Sequence, residues 1–305
     1  MSLLVVGSVA LDSVETPFGR ADDVLGGSAT FFSASASHHA PVKIVGIVGD
    51  DYPVDQLNRT FKDRPVDLSG IEHAKGRSFR WRGRYRHDLN VAETLETHLG
   101  VFSNFAPKIP ESFRKTPYVF LGNIDPRLQI DVLRQVEKPK LVVCDTMNFW
   151  IESRRPELIE LLGKVDAITL NDGEARQLTE NNNLVKAAKW IMARGPKFVI
   201  IKKGENGALM FTKDSVFLAP AYPLEEVFDP TGAGDSFAGG FMGYLAKTGS
   251  LDIENLRRAV IYGSVMGSFA VERFSVERLI SITPKDIAAR VGEFKRLVAF
   301  EEALP

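Results

Sequence analysis

Asp229-Pro230-Thr231-Gly232-Ala233-Gly234-Asp235-Ser236-Phe237-Ala238-Gly239-Gly240 runs straight into the apolar Phe241, Met242, Tyr244 and Leu245. A glycine-rich turn followed by an amphipathic stretch makes a helix N-terminus lined by small residues. The unpaired N–H groups of that turn, with the positive end of the helix dipole, form an anion site. Gly232 and Gly234 remove Cβ atoms that would keep a phosphate away from those amides, and they accept a positive φ. Asp235 stands on the same turn, where a carboxylate can take a proton from an attacking hydroxyl while the amides stabilise the group in transfer. The structural alternative for Asp235 is an N-cap. That role accounts for the aspartate and leaves the two glycines unexplained.

Spacing separates this turn from two commoner phosphate loops. A dinucleotide-binding G-x-G-x-x-G needs glycine where Phe237 stands, and it follows the first strand of its fold. A P-loop needs lysine where Asp235 stands.

Upstream, short apolar runs at 3–9, 42–48, 118–121, 141–144, 167–170 and 198–201 alternate with helix-like segments. This predicts an α/β fold built of βαβ units, with a mainly parallel sheet and helices on both faces. Ligands of such sheets sit beyond the carboxyl ends of the strands, where Asp12, Gly122, Asn123, Asp145, Asn171 and Gly204 fall. Downstream, Ile287, Val291, Phe294, Leu297 and Val298 recur at helical spacing, which predicts a terminal helix over 284–304.

Residues 78–87 break the pattern. Phe79, Trp81, Gly83, Tyr85 and His87 share one parity and Arg80, Arg82, Arg84 and Arg86 the other, the signature of a half-buried strand. With 13–19 and 91–101 it is expected to form a small antiparallel flap. The arginine face reads either as the solvated side of an edge strand, where charge blocks further pairing, or as an electropositive surface toward an anionic substrate.

The composition suits a globular enzyme or binding protein: 305 residues, 44% hydrophobic and 25% charged. A net charge of -1 supplies no field for a polyanion, so a small partner is expected and nucleic acid is not. Cys144, the lone cysteine, lies in an apolar run and reads as a buried strand residue of a reducing compartment. The first residues lack a basic n-region, and no run approaches a membrane span, so a cytoplasmic protein without a membrane partner is expected. The five histidines have no metal-ligand spacing.

The segment 229–240 closely resembles the second signature of the ribokinase family of carbohydrate kinases, also called the PfkB family. The likeness continues along the chain. Gly7 with Asp12, Gly26 and Gly27 before a small-residue helix, and Val45 through Asp51 resemble the family's N-terminal half and first signature. Asn171-Asp172-Gly173-Glu174 resembles its N-x-x-E element, and Lys202 through Gly207 its nucleotide-binding G-x-x-G turn.

The resemblance implies a ribokinase-like three-layer α/β/α kinase domain over 1–305 with a small β lid at roughly 12–20 and 76–102. It implies transfer of the γ-phosphoryl of ATP to an alcohol of a sugar or sugar-like molecule, with a nucleoside as the alternative acceptor. Asp235 carries over as the catalytic base, and Gly232, Ala233 and Gly234 as the anion hole. Lys202, Gly204, Gly207 and Thr231 carry over to ATP. Asn171 and Glu174 carry over as indirect organisers of Mg²⁺, although the same pair reads from the sequence as a helix capping box. Asp12, Gly26, Gly27 and Asn123 would bind the acceptor, and a homodimer would form through the lid.

The pattern departs in three places. Phe31 replaces the asparagine usual four residues after the paired glycines, and is expected in the core or stacked on the acceptor. Pro53 replaces a frequent glycine, and Asp145-Thr146-Met147-Asn148 displaces by one residue the asparagine of a D-x-N element. A silent nucleotide or sugar-phosphate sensor is the reading from another class, disfavoured by the presence of Asp235. A nicotinamide oxidoreductase is disfavoured by the glycine spacing.

Overall fold

A computed structural model of the chain describes residues 1–299. In chain order its elements are β1 (Leu3–Val6), β2 (Ala10–Thr16), β3 (Gly19–Gly26), α1 (Ser28–Ala36), β4 (Val42–Val48), α2 (Val54–Phe61), β5 (Val66–His73), β6 (Phe79–Tyr85), β7 (Ala92–His98), β8 (Tyr118–Leu121), α3 (Pro126–Leu133), β9 (Leu141–Asp145), α4 (Asn148–Ser153) and α5 (Arg155–Leu162). There follow β10 (Ala167–Asn171), α6 (Asp172–Thr179), α7 (Leu184–Met192), β11 (Phe198–Lys202), β12 (Ala208–Thr212), β13 (Val216–Ala219), α8 (Ala233–Thr248), α9 (Ile253–Ala270), α10 (Glu277–Ser281) and α11 (Pro284–Val298).

Strand β1 shows why the chain makes three layers. All four of its residues are buried: Leu3 and Val5 join a core with Phe32 of α1 and Phe241 of α8, while Leu4 and Val6 join one with Ile130 of α3 and Leu158 of α5. A strand apolar on both parities must be covered on both faces, as parallel strands are. The nine-stranded sheet runs β13-β12-β11-β10-β9-β8-β1-β4-β5, and only the β12–β13 hairpin is antiparallel to its neighbours. The three-layer α/β/α fold with a mainly parallel sheet is therefore present.

The chain proceeds outward from β1 to β4 and β5, then returns to the other side of β1 with β8. That reversal leaves a crevice at the carboxyl ends of β1 and β8, the topological switch point where ligands of open α/β sheets bind. Glycines let α8 sit close beneath it. A Cβ on Gly239 would stand 2.4 Å from the Phe32 carbonyl oxygen of α1.

A second, four-stranded sheet has the order β3-β2-β6-β7. It differs from the expected antiparallel flap, because β2 and β6 pair in parallel, with Asp12 beside Trp81. Residues 19–26 add an unforeseen strand. Since β6 lies between β2 and β7, its arginines are not the face of an edge strand. Three of the four arginines of 80–86 are held by acids. Arg80 pairs with Asp23 at 2.5 Å and Asp51 at 2.9 Å, Arg84 with Glu15 at 3.1 Å and Arg86 with Glu93 at 3.1 Å.

Cys144 is buried on β9. Helix α11 begins at Pro284 behind a Thr283–Asp286 capping box, and the part of the expected helix beyond 299 lies outside the described residues. Among the described residues, no helix is long and apolar enough to cross a membrane.

Candidate active site

Helix α8 starts as its sequence requires. Gly232 is the N-cap, with φ 72° and ψ 3°, and the Ser236 N–H returns to its carbonyl at 2.8 Å. Asp235 lies in the first turn and makes no capping bond, so the N-cap alternative for it falls away. Asp229, 1% exposed, shapes the approach: its carboxylate accepts from Thr231 N at 2.9 Å and Ser275 N at 3.3 Å. Ser275, at φ 56°, in turn donates its hydroxyl to the Leu25 carbonyl at 2.5 Å. The sequence reading assigned Asp229 and Ser275 no separate task.

The ends of three neighbouring parallel strands face this turn. Asp145 ends β9, Asn171 ends β10 and Lys202 ends β11, where it is register-paired with Asn171. The Lys202 ammonium lies 3.2 Å from Asp145 Oδ2, both side chains largely buried. It also reaches the glycine turn, since a Cβ on Gly234 would stand 2.8 Å from Lys202 Nζ. Asn171 and Glu174 form a complete capping box, Glu174 Oε2 accepting from Asn171 N at 2.7 Å and Asn171 Oδ1 from Glu174 N at 2.8 Å.

Charge in this cluster is unbalanced. Burial raises the Asp235 carboxyl well above the usual aspartate range; the Asp145 carboxylate adds to the effect and Lys202 opposes it. Burial raises Glu174 as well, again opposed by Lys202 and assisted by Asp145. Low polarity disfavours each anion, and one ammonium among three carboxylates cannot offset all of them. Such a site gains from an incoming cation. Among the described residues, no group of three or more His, Cys, Asp or Glu side chains is placed to hold a metal by itself. The excess of carboxylates over the single ammonium fits a cation near Asp145, Glu174 and Asp235.

A second group lies on the small sheet. Asp12 is 6% exposed and accepts from Gly27 N at 3.4 Å. Gly26 must be glycine, because a Cβ there would stand 2.0 Å from Asp12 Oδ2. Burial pushes Asp12 up to about 7, and the negative charges of Asp229 and Asp235 add to the shift. Across the strand, the Trp81 indole packs over Gly83, where a Cβ would stand 2.1 Å from the ring, and Trp81 Nε1 donates to Thr94 Oγ1 at 3.2 Å. Tyr85, buried on the same parity, takes a bond from the Thr231 hydroxyl at 3.3 Å, joining the small sheet to the α8 turn.

The remaining expected residues separate into distinct places. Asn123 Oδ1 is engaged by Trp150 Nε1 at 2.9 Å, which orients its amide beside the end of β8. Gly204 (φ 53°) and Gly207 (φ 80°) close a turn with Gly207 N donating to the Gly204 carbonyl at 3.0 Å. Asn90, from the β6–β7 tip, rests on that turn: a Cβ on Gly204 would stand 1.8 Å from its Oδ1. Phe31 belongs to the core, 2% exposed beneath Gly232. Cavities of about 160 Å³ near Gly70 and Phe105 and about 330 Å³ near Ile130 and Leu133 lie away from these residues.

Comparisons with known proteins give the family and the fold. The profile described as pfkB family carbohydrate kinase matches residues 129–282. A cytidine kinase from Thermococcus kodakarensis is 31% identical over 248 residues, 79% of this chain and 87% of the relative. An adenosine kinase structure from Sinorhizobium meliloti superposes with a TM-score of 0.80 at 18% identity, over 95% of this chain and 99% of that one. A Burkholderia thailandensis nucleoside kinase in complex with inosine gives 0.78 at 18% identity, over 98% and 100%.

Proposed function

Because the chain belongs to the pfkB family of carbohydrate kinases, we propose that it transfers the γ-phosphoryl group of ATP to a hydroxyl of a nucleoside. The observation that carries the choice of acceptor is the pairing of Asp12 with Trp81 across β2 and β6. A buried carboxylate suits the vicinal hydroxyls of a sugar ring. An indole on the same face, packed over Gly83, suits the stacking of a base. The 31% identical relative is a cytidine kinase, which supports the same reading.

Asp235 is the general base. As the acceptor oxygen bonds to the γ-phosphorus and the bond to the β-phosphate oxygen breaks, the hydroxyl proton passes to Asp235 and ADP departs. Its raised affinity for a proton suits that task near neutral pH. The N–H groups of the Gly232–Asp235 turn, at the positive end of α8, stabilise the group in transfer. When bound, Mg²⁺ supplies charge neutralisation at the phosphates, held mainly by nucleotide oxygens and water. Glu174 and Asn171, locked in their capping box, are the residues that would order that water.

The turn holding Gly204 and Gly207 takes the nucleotide beside Lys202 and Thr231, and the small sheet acts as the lid. Asn90 resting on Gly204 then ties the lid tip to the nucleotide side. The exposed outer strand β7 is the surface through which a homodimer would form.

A free sugar is the second reading, favoured by the Asp12–Gly27 contact, which needs no base to recognise a hydroxyl. ADP release from ATP and Mg²⁺ across nucleosides, pentoses and hexoses, with Asp235→Asn alongside, tests both. Turnover confined to nucleosides and lost in the variant supports the proposal. Turnover on free sugars alone overturns the acceptor, and turnover that survives in Asp235→Asn overturns the base.

A further inference from the structure

The Lys202–Asp145 pair stands where nucleotide contact alone does not require it. Lys202 Nζ lies 3.2 Å from Asp145 Oδ2, with the two side chains 17% and 7% exposed. The same ammonium occupies the space that a Cβ on Gly234 would need, 2.8 Å away. It thus borders the glycine turn that starts α8, one residue before Asp235. Asp145 is itself fixed, its Oδ1 accepting from Thr146 N at 2.9 Å. An ammonium on a four-carbon stem carries three donors and can re-aim from one anion to another.

We propose that Lys202 is a catalytic residue: its ammonium, held by Asp145 in the free enzyme, turns to a non-bridging oxygen of the phosphoryl group in transfer, and Asp145 is its positioning residue. The inference rests on the kinase reading above. The balance of the step is unchanged. The acceptor O–P bond forms, the bond to the β-phosphate oxygen breaks, and the hydroxyl proton goes to Asp235. Lys202 keeps all its protons and only exchanges hydrogen-bond partners. Lys202 thereby supplies a mobile positive charge to an anion hole otherwise made of fixed backbone dipoles.

The test uses the full chain with Lys202→Met, Lys202→Arg, Asp145→Asn and the Lys202→Met/Asp145→Asn pair. Removing one donor from an anion hole costs about 10²–10³ in kcat, so Lys202→Met is expected to lose that much, with KM for ATP moving by no more than about threefold. Lys202→Arg keeps the charge and is expected to fall between. Asp145→Asn is expected to lower kcat about tenfold, and the double variant to be no slower than Lys202→Met, because the positioning role of Asp145 passes through the lysine. Lys202→Met alone leaves a buried unpaired carboxylate; the double variant does not, so thermal unfolding of the double separates misfolding from chemistry.

A raised KM for ATP at unchanged kcat would reduce Lys202 to a nucleotide contact and overturn the proposal. Additive losses in the double variant would overturn the positioning role of Asp145. If the wild-type enzyme turns over no acceptor, the kinase reading fails separately. Lys202 is then read from the binding of ADP with aluminium fluoride and Mg²⁺. A loss in Lys202→Met larger than the loss for ADP alone supports the inference, and equal losses sink it.

Discussion

The ring of Phe31 lies directly under Gly232: a Cβ on that glycine would stand 2.2 Å from Phe31 Cγ, and its φ is 72°. The aromatic side chain is thus the floor of the glycine turn that starts α8. The Gly232 conformation and the Phe31 side chain therefore form one unit.

Gly232→Ala is expected to cost stability through both a clash and a strained φ. Overpacking of this kind amounts to about 1–3 kcal/mol, with a fall in kcat as the turn shifts. Adding Phe31→Leu should return part of the stability, since it relieves the clash and leaves the backbone strain. Thermal melts of the two variants check this, and equal melting points would show that the ring and the turn are uncoupled.

Asp235→Asn is expected to lower kcat about 10³-fold, within the range for loss of a general base, and to leave ATP affinity nearly unchanged. The variant also removes a carboxylate from a crowded buried cluster, so its melting temperature should hold or rise. Single-turnover kinetics and calorimetric ATP binding provide the comparison.

Asp12 supplies a pH dependence. Its folded-state pKa, about 7, exceeds the unfolded value of about 3.9. Between those values the folded chain keeps a proton that the unfolded chain has lost, so this group's contribution to stability declines as pH rises from about 4 to 7. Asp12→Asn removes the decline. In the absence of acceptor the variant should melt several degrees above wild type at pH 8 and close to it at pH 4. Parallel melting curves at both pH values would contradict the burial penalty.

Trp81→Ala should discriminate acceptors. Loss of a stacking platform costs about 1–3 kcal/mol per base, so KM for a nucleoside should rise about tenfold or more, with little change for free ribose. An equal rise for both would mean that Trp81 supports the lid and does not touch the base.

The sequence exposed those parts of the molecule whose physics is local. All six apolar runs became parallel strands, because strands buried on both faces must be apolar throughout. The glycine turn before α8 was equally legible, since the N-cap glycine and the helix it starts lie within a few residues. Strand β3 was missed because Arg20, Asp22 and Asp23 keep its outer half exposed, and β5, at the sheet edge, carries only a weak alternation. Candidate residues that depend on distant partners were the least legible. Lys202 and Asp145 are 57 positions apart, and nothing in either local segment announces the pair. The arginine parity of 80–86 looked like an open basic face because the acids that hold Arg80, Arg84 and Arg86 come from Glu15, Asp23, Asp51 and Glu93, on other segments of the chain.

The latch through Ser275 bears on how the enzyme is made. Ser275 reaches back across 250 positions to the carbonyl of Leu25 and across 46 to the carboxylate of Asp229. In synthesis the segment carrying Asp12 and Gly27 emerges long before Ser275, so the strap that joins it to the α8 turn is added late. A chain that stops between residues 240 and 275 thus contains both the Asp12 segment and the α8 turn but lacks the strap that ties one to the other.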